Sequence, residues 1–144
     1  QETGRKLQIE IEPGRFLVVH AGSLVAAVID VTDTGEQGYT FIRTNTGMTE
    51  ILRPAMYGAQ HPIVVVTKDQ RPKKYADRVV VGHCCESSDC LTVTKDDPES
   101  LEPRRLLIPE IGDYLVIEAT GAYCASMATI GYNAFPKATE VVVD

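Results

Sequence analysis

Short runs of apolar, β-branched residues recur along the chain, each bounded by Gly, Pro, Asp or Ser. Leu7–Ile11 alternates apolar and polar side chains and ends at the Glu12-Pro13-Gly14 turn. Phe16–His20 and Leu24–Val31 follow, separated by Gly22. Tyr39–Ile42, Ile63–Val66, Val79–Val81, Leu91–Val93, Tyr114–Ile117 and Val141–Val143 continue the series. Runs of this length and composition between turn formers predict strands. Many such strands at close spacing predict an all-β barrel or sandwich. Helical patterns are weak, amounting to a turn or two at Thr49–Met56 and near Ala125–Ile130. The polar, Pro-containing stretches Asp69–Lys74 and Lys95–Arg105 predict exposed loops. No repeat or low-complexity segment interrupts the series, so residues 1–144 read as one compact domain.

Reactive side chains concentrate in four Gly- or Pro-bearing segments: Glu12–Arg15, Gly47–His61, Gly82–Asp89 and Gly121–Asn133. Loops carried by a rigid β scaffold are where binding and catalysis tend to sit. A free-standing β-barrel that binds a ligand or partner without catalysis gives the same pattern. The pattern by itself therefore names no activity.

Charge and composition narrow the classes. The 144 residues carry 20 acidic and 14 basic side chains, a net charge of −6, which argues against a nucleic-acid partner. No apolar run approaches the roughly 18 residues of a membrane span, and the amino terminus lacks a signal-peptide pattern. A cytoplasmic location is expected. The chain opens on Gln1, so it reads as a piece of something longer. Three of the four cysteines, Cys84, Cys85 and Cys90, fall within seven residues, and Cys124 stands apart. Adjacent side chains on an extended strand point to opposite faces, which disfavours Cys84 and Cys85 as ligands of one metal ion. Without a secretory signal, disulfides are not expected either. One thiol reads better as a site residue.

Four strings then carry a resemblance. EPGR (Glu12–Arg15) precedes the apolar run FLVVHAG; TGMTEILRPAMYGAQHPI spans Thr46–Ile63; GHCCESSD spans Gly82–Asp89; GAYCASMATIGYN spans Gly121–Asn133. In order and spacing they resemble the second domain of fold-type III pyridoxal-phosphate decarboxylases, over nearly the whole chain. The pattern Arg53-Pro54-Ala55-Met56-Tyr57, with Cys85-Glu86 rather than Cys-Asp, is similar to the diaminopimelate branch of that family. The resemblance implies a Greek-key-like β-barrel with short helical turns, of the kind at the carboxy terminus of alanine racemase and ornithine decarboxylase. It also implies a part in converting meso-diaminopimelate to L-lysine and carbon dioxide.

The same resemblance assigns roles. The diaminopimelate substrate bears a second carboxylate and amine at its far end. A guanidinium fork matches a carboxylate's two oxygens, so Arg15 and Arg53 are the candidate carboxylate binders, with the Tyr57 hydroxyl as a third donor. Glu86 is the acceptor for the far ammonium. Cys85 corresponds to the family's cysteine, contributed to the partner subunit's active site, which protonates the intermediate after carbon dioxide leaves. Tyr123 corresponds to the tyrosine that contacts the cofactor and lies near the substrate. Cys84, Cys90 and Cys124 read as packing residues, and His20, His61 and His83 as structural. Asp89 is expected to brace the Cys-Glu-Ser loop or a subunit interface.

Two departures bear on this reading. Ser88 stands where the family usually has Gly, and Asn45-Thr46 where an Asp-Ala pair is common. They keep a related decarboxylase open, one acting on carboxynorspermidine or a siderophore or antibiotic precursor. The family's Schiff-base lysine and phosphate loop belong to an amino-terminal (β/α)8 barrel, and nothing in this sequence resembles that barrel. The piece is therefore expected to be inactive alone. It would dock on that domain of the same chain and share its sites across a homodimer, with pyridoxal 5'-phosphate held covalently by the other domain.

Overall fold

The structure, a computed structural model, describes residues 4, 6 and 8–143. Eight strands dominate: β1 (Leu24–Asp33), β2 (Thr40–Thr44), β3 (Ile63–Val66), β4 (Tyr75–Val81), β5 (Val93–Thr94), β6 (Asp97–Leu101), β7 (Arg104–Leu107) and β8 (Tyr114–Ile117). Two short α-helices, α1 (Arg15–Val18) and α2 (Arg53–Tyr57), and three single 3-10 turns complete the described elements.

Six strands form one sheet in the order β3-β8-β1-β2-β4-β7, and β5 pairs with β6 as a separate hairpin. The two edge strands, β3 and β7, approach each other, so the sheet is a nearly closed barrel. The last strand, β8, returns to lie between β3 and β1, antiparallel to both, which gives the Greek-key-like order. Only β2 and β4 run parallel, because the long excursion through α2 and β3 separates them. Alternation fills the barrel: Ala26 and Val28 of β1, Ile42 of β2 and Leu115 and Ile117 of β8 all point inward and are buried. Between Val28 and Asp30 the register of β1 against β2 slips at a bulge.

Tertiary partners override local pattern at several places. Leu7 lies outside the described residues, and Gln8–Ile11 forms no strand. The β-branched run Phe16–His20 is not a strand but α1 followed by a 3-10 turn at Val19–Ala21. No strand pairs with it; instead Val19 alone is buried, against Ala119 and Ala122. Val141–Val143 forms no strand among the described residues, Val142 being 93% exposed. Of Leu91–Val93 only Val93 enters a strand, whereas the supposed loop Lys95–Arg105 holds β6 and the start of β7. Its polar residues sit on a half-exposed hairpin, where pairing needs only backbone. The stretch Asp69–Lys74 is a loop, as expected, except that Arg71 turns inward.

Arg71 reaches Asp113, a carboxylate only 2% exposed that also accepts the amides of Lys68 at 3.0 Å and Glu110 at 2.8 Å. Burial alone would raise the Asp113 pKa, but the Arg71 guanidinium and these two amides outweigh it and hold the carboxyl below its usual range. A depressed carboxylate stabilises the fold above its unfolded pKa of about 3.9, and that contribution disappears as pH falls through the lower folded value. Asp113→Asn is expected to cost about 2 kcal/mol or more at pH 7, through amides left short of an acceptor. Urea denaturation at a series of pH values checks this: the gap between wild type and variant should narrow in acid, and a gap independent of pH would contradict it.

Candidate functional site

One buried carboxylate joins two of the four loops. Asp89, 4% exposed, accepts the backbone amide of Met48 at 2.6 Å and that of Cys84 at 2.8 Å. Gly47 and Gly82 make room for it, since a Cβ on either would run into the carboxylate. Beside it, Glu50 accepts from the Thr46 hydroxyl at 2.7 Å, the Gly47 amide at 3.0 Å and the Thr49 hydroxyl at 2.6 Å. With its proton given to Glu50, Thr49 Oγ1 accepts from His83 Nε2 at 2.7 Å. Asp89 thus braces the Cys-Glu-Ser loop, one of the two tasks the sequence suggested. The substituted residues fit this frame. Asn45 Oδ1 accepts the Ala27 amide at 2.7 Å, and Ser88 adopts no left-handed backbone that would demand Gly.

The second constellation is basic. Arg15, Arg53 and Tyr57 line one hollow of about 380 Å³, together with Lys95 and Asp96. In α2, Pro54 sits at the helix start and Gly58, at φ 60°, closes its end. Four residues apart on one turn, Arg53 and Tyr57 share a face, with the guanidinium 5.6 Å from the ring centroid. Arg53 Nε is buried and has no hydrogen-bond partner among the described residues. Arg15 arrives on α1, which is fastened to the Gly121–Tyr123 segment. Gly121 N donates to Val19 O at 3.1 Å and Thr120 N to Gly22 O at 3.0 Å. A Cβ on Gly22 would stand 2.9 Å from Gly121 Cα, so both positions need glycine for this approach.

Tyr123 belongs beside this hollow without lining it. Its backbone is left-handed at φ 59°, and its hydroxyl lies against Gly14, where a Cβ would be 2.6 Å away. Its ring lines a larger hollow of about 430 Å³, shared with Thr49, Glu50 and the Pro136–Val141 segment. His61, 3% exposed, donates from Nδ1 to Glu118 O at 3.1 Å. Burial lowers its pKa against that hydrogen bond, and the charges of Arg53 and Arg15 lower it further, so the ring is neutral at pH 7.

Cys85 and Glu86 stand apart from the basic hollow. Cys85 is exposed, and its amide donates to Asn133 Oδ1 at 2.8 Å. Glu86 accepts the Ser88 amide at 3.3 Å, the Ser87 hydroxyl at 3.3 Å and the Tyr132 hydroxyl at 3.1 Å, which together hold its pKa low. The other thiols are poor acids. Burial, then the Asp89 carboxylate, pushes Cys84 up to about 12, and burial also raises Cys90 and Cys124. Of the six residues singled out by sequence, Arg15, Arg53 and Tyr57 thus share the basic hollow, Tyr123 lines the larger hollow beside it, and Cys85 and Glu86 stand on a separate loop. Sequence reasoning gave no role to Glu50, Tyr132 or Asn133. The last two lie inside the quoted Gly121–Asn133 string, which was the signal available.

Residues 6–121 match the family model described as the pyridoxal-dependent decarboxylase C-terminal sheet domain. Diaminopimelate decarboxylase of Escherichia coli K12 is 40% identical over 144 residues, covering 98% of this chain and 33% of the relative. That of Buchnera aphidicola from Schizaphis graminum is 38% identical over 141 residues, covering 96% and 33%. A crystal structure of diaminopimelate decarboxylase superposes with a TM-score of 0.81 at 38% identity, covering 94% of this chain and 32% of that one. The Helicobacter pylori enzyme complexed with L-lysine gives a TM-score of 0.67 at 36% identity, over 85% and 26%. The chain spans about a third of the length of the curated relatives it matches. Among the described residues no helix is long and apolar enough to cross a membrane.

The Asp89 carboxylate holds the two loops together through its amide contacts. Asp89→Asn must turn an amide –NH2 toward one of two backbone donors, so it is expected to lose about 1–3 kcal/mol. Gly82→Ala, which forces the carboxylate out, should lose a similar amount. Thermal or urea unfolding reads both, and an unchanged midpoint for either would show that the carboxylate does not hold the two loops.

Proposed function

Because this chain belongs to the pyridoxal-dependent decarboxylases as their C-terminal sheet domain, we propose that in its full-length protein it binds and orients meso-diaminopimelate for decarboxylation to L-lysine. The observation that carries this reading is the convergence of Arg15, Arg53 and Tyr57 on one hollow, with the Tyr123 hydroxyl against Gly14 next to Arg15. Two guanidiniums and a phenol in a half-enclosed space suit a carboxylate that carries no other counter-charge. An Arg53 Nε buried without a partner favours an anionic ligand there. The same donor types fit the oxygens of pyridoxal 5'-phosphate, and Tyr123 is the residue assigned to it. When bound, the cofactor supplies the electron sink for the carbanion left by carbon dioxide.

The work of this chain is then positional and protonic. Arg15 and Arg53 hold the far carboxylate in a bidentate fork, and Tyr57 adds a hydroxyl. Glu86, kept ionised by its three donors, takes the far ammonium. Cys85 Sγ delivers the proton that replaces the lost carboxylate. Neither Cys85 nor Glu86 lines the basic hollow, so a site holding all of these groups is built from two copies. Each copy gives its basic hollow to one site and its thiol loop to the other. The catalytic lysine comes from a preceding (β/α)8 domain, without which this domain is inactive. Biosynthesis of lysine by such an enzyme takes place in the cytoplasm.

The test uses the full-length protein with pyridoxal 5'-phosphate and meso-diaminopimelate, following carbon dioxide and lysine. Cys85→Ala is expected to lower kcat about 100-fold or more with little change in KM, as for loss of a proton donor. Arg53→Lys should raise KM about tenfold, since one ammonium cannot replace a fork. Absence of lysine release, or wild-type constants in both variants, would overturn the proposal.

A further inference from the structure

The 83–86 loop and the 131–135 turn meet in a single antiparallel register. The Phe135 ring stacks on that of His83, with centroids 3.6 Å apart and planes 5° from parallel. Asn133 Oδ1 then accepts the Cys85 amide at 2.8 Å, and the Tyr132 hydroxyl donates to Glu86 Oε2 at 3.1 Å. Residue 83 thus faces 135, 85 faces 133 and 86 faces 132, one segment advancing as the other recedes. Three contacts of different kinds in one register fix translation and rotation of the loop together.

The turn is built under strain. Gly131 lies at φ 84°, Asn133 at φ 50° and Ala134 at φ 64°. Asn tolerates the left-handed region, but Ala there costs roughly 1 kcal/mol. Such strain persists only where surrounding contacts over-determine the conformation. Its base is anchored on the frame that holds the loop: Thr129 N donates to Thr49 O at 3.0 Å, and Thr129 Oγ1 to Met48 O at 3.3 Å. Met48 is bonded to Asp89, and Thr49 to His83. Turn and loop are therefore two arms of one body.

We propose that residues 131–135 are a clasp that sets the reach of the Cys85–Glu86 pair, with Asn133 positioning the Cys85 thiol and Tyr132 positioning the Glu86 carboxylate for a cationic substrate end. This rests on the proposed function above. Asn133 acts through the backbone: by taking the Cys85 amide it fixes the Cα from which the thiol projects. Tyr132 acts through the side chain, and its hydroxyl helps keep Glu86 charged, after the Ser88 amide. Loss of that hydroxyl lets the Glu86 pKa rise toward its ordinary value, so Glu86 protonates at a higher pH than before.

The full-length protein tests this with three variants. Asn133→Gly keeps the left-handed backbone accessible and removes only the amide, whereas Asn133→Asp keeps an acceptor oxygen. Asn133→Gly is expected to lower kcat about tenfold or more with KM within about twofold, and Asn133→Asp to recover most of the loss. Alkylation of Cys85 by iodoacetamide, followed by peptide mass spectrometry, should be several-fold faster in Asn133→Gly than in wild type or Asn133→Asp. Tyr132→Phe should raise KM and move the acid limb of kcat/KM upward in pH, leaving Cys85 labelling unchanged. Wild-type labelling and turnover in Asn133→Gly would overturn the clasp. If Cys85→Ala turns over normally while Asn133→Gly still labels faster, the proton-donor reading has failed and the clasp itself is supported.

Discussion

A carboxylate placed where two glycine-bearing loops cross organises the reactive end of this barrel. Asp89 is nearly inaccessible, and its carboxylate accepts two backbone amides, one from each loop. A carboxylate offers acceptors without donors, so two amides can converge on it without competing for protons. The lack of a Cβ at Gly47 and Gly82 is what lets the backbones come that close. Everything beyond this point inherits its position: Glu50 and Thr49 on one side, His83 and the thiol loop on the other.

Thr49 and Glu50 of that frame also border the larger hollow that Tyr123 lines, and the Tyr123 hydroxyl lies against Gly14 beside Arg15. The basic hollow and the thiol loop do not share a cavity. Rigid scaffolding of separated groups suits a site completed by other polypeptide, because each group must be in place before the remainder docks. The exposed apolar residues of α1, Phe16, Leu17 and Val18, follow Arg15 on the same short helix.

Charge is distributed to the same end. Glu86 is held ionised by three donors, His61 neutral by burial next to two guanidiniums, and three of the four thiols protonated by burial. The exposed thiol, Cys85, is held through its backbone amide, which donates to Asn133 Oδ1. Among the described residues Arg15 and Arg53 make no salt bridge, whereas Arg71, on the opposite task of holding the fold, is saturated by Asp69, Glu110 and Asp113.

The β-branched, apolar runs at Leu24–Val31, Tyr39–Ile42, Ile63–Val66 and Tyr114–Ile117 marked most of the barrel's strands on their own, because such side chains between turn formers favour extended backbone. The four motif strings likewise marked the loops that carry chemistry, and Arg53 and Tyr57 were legible as one face from their spacing. Phe16–His20 and Val141–Val143 misled because a β-branched run becomes a strand only when a neighbour offers its edge, and these two have none. The hairpin in Lys95–Arg105 was hidden for the converse reason: backbone pairing needs no apolar pattern. The separation of the six candidates among the basic hollow, the larger hollow and the thiol loop, the Asp89 crossing and the clasp at 131–135 belonged to the tertiary structure alone. Each depends on distances between residues about 40 or more positions apart in the chain, which local pattern does not encode.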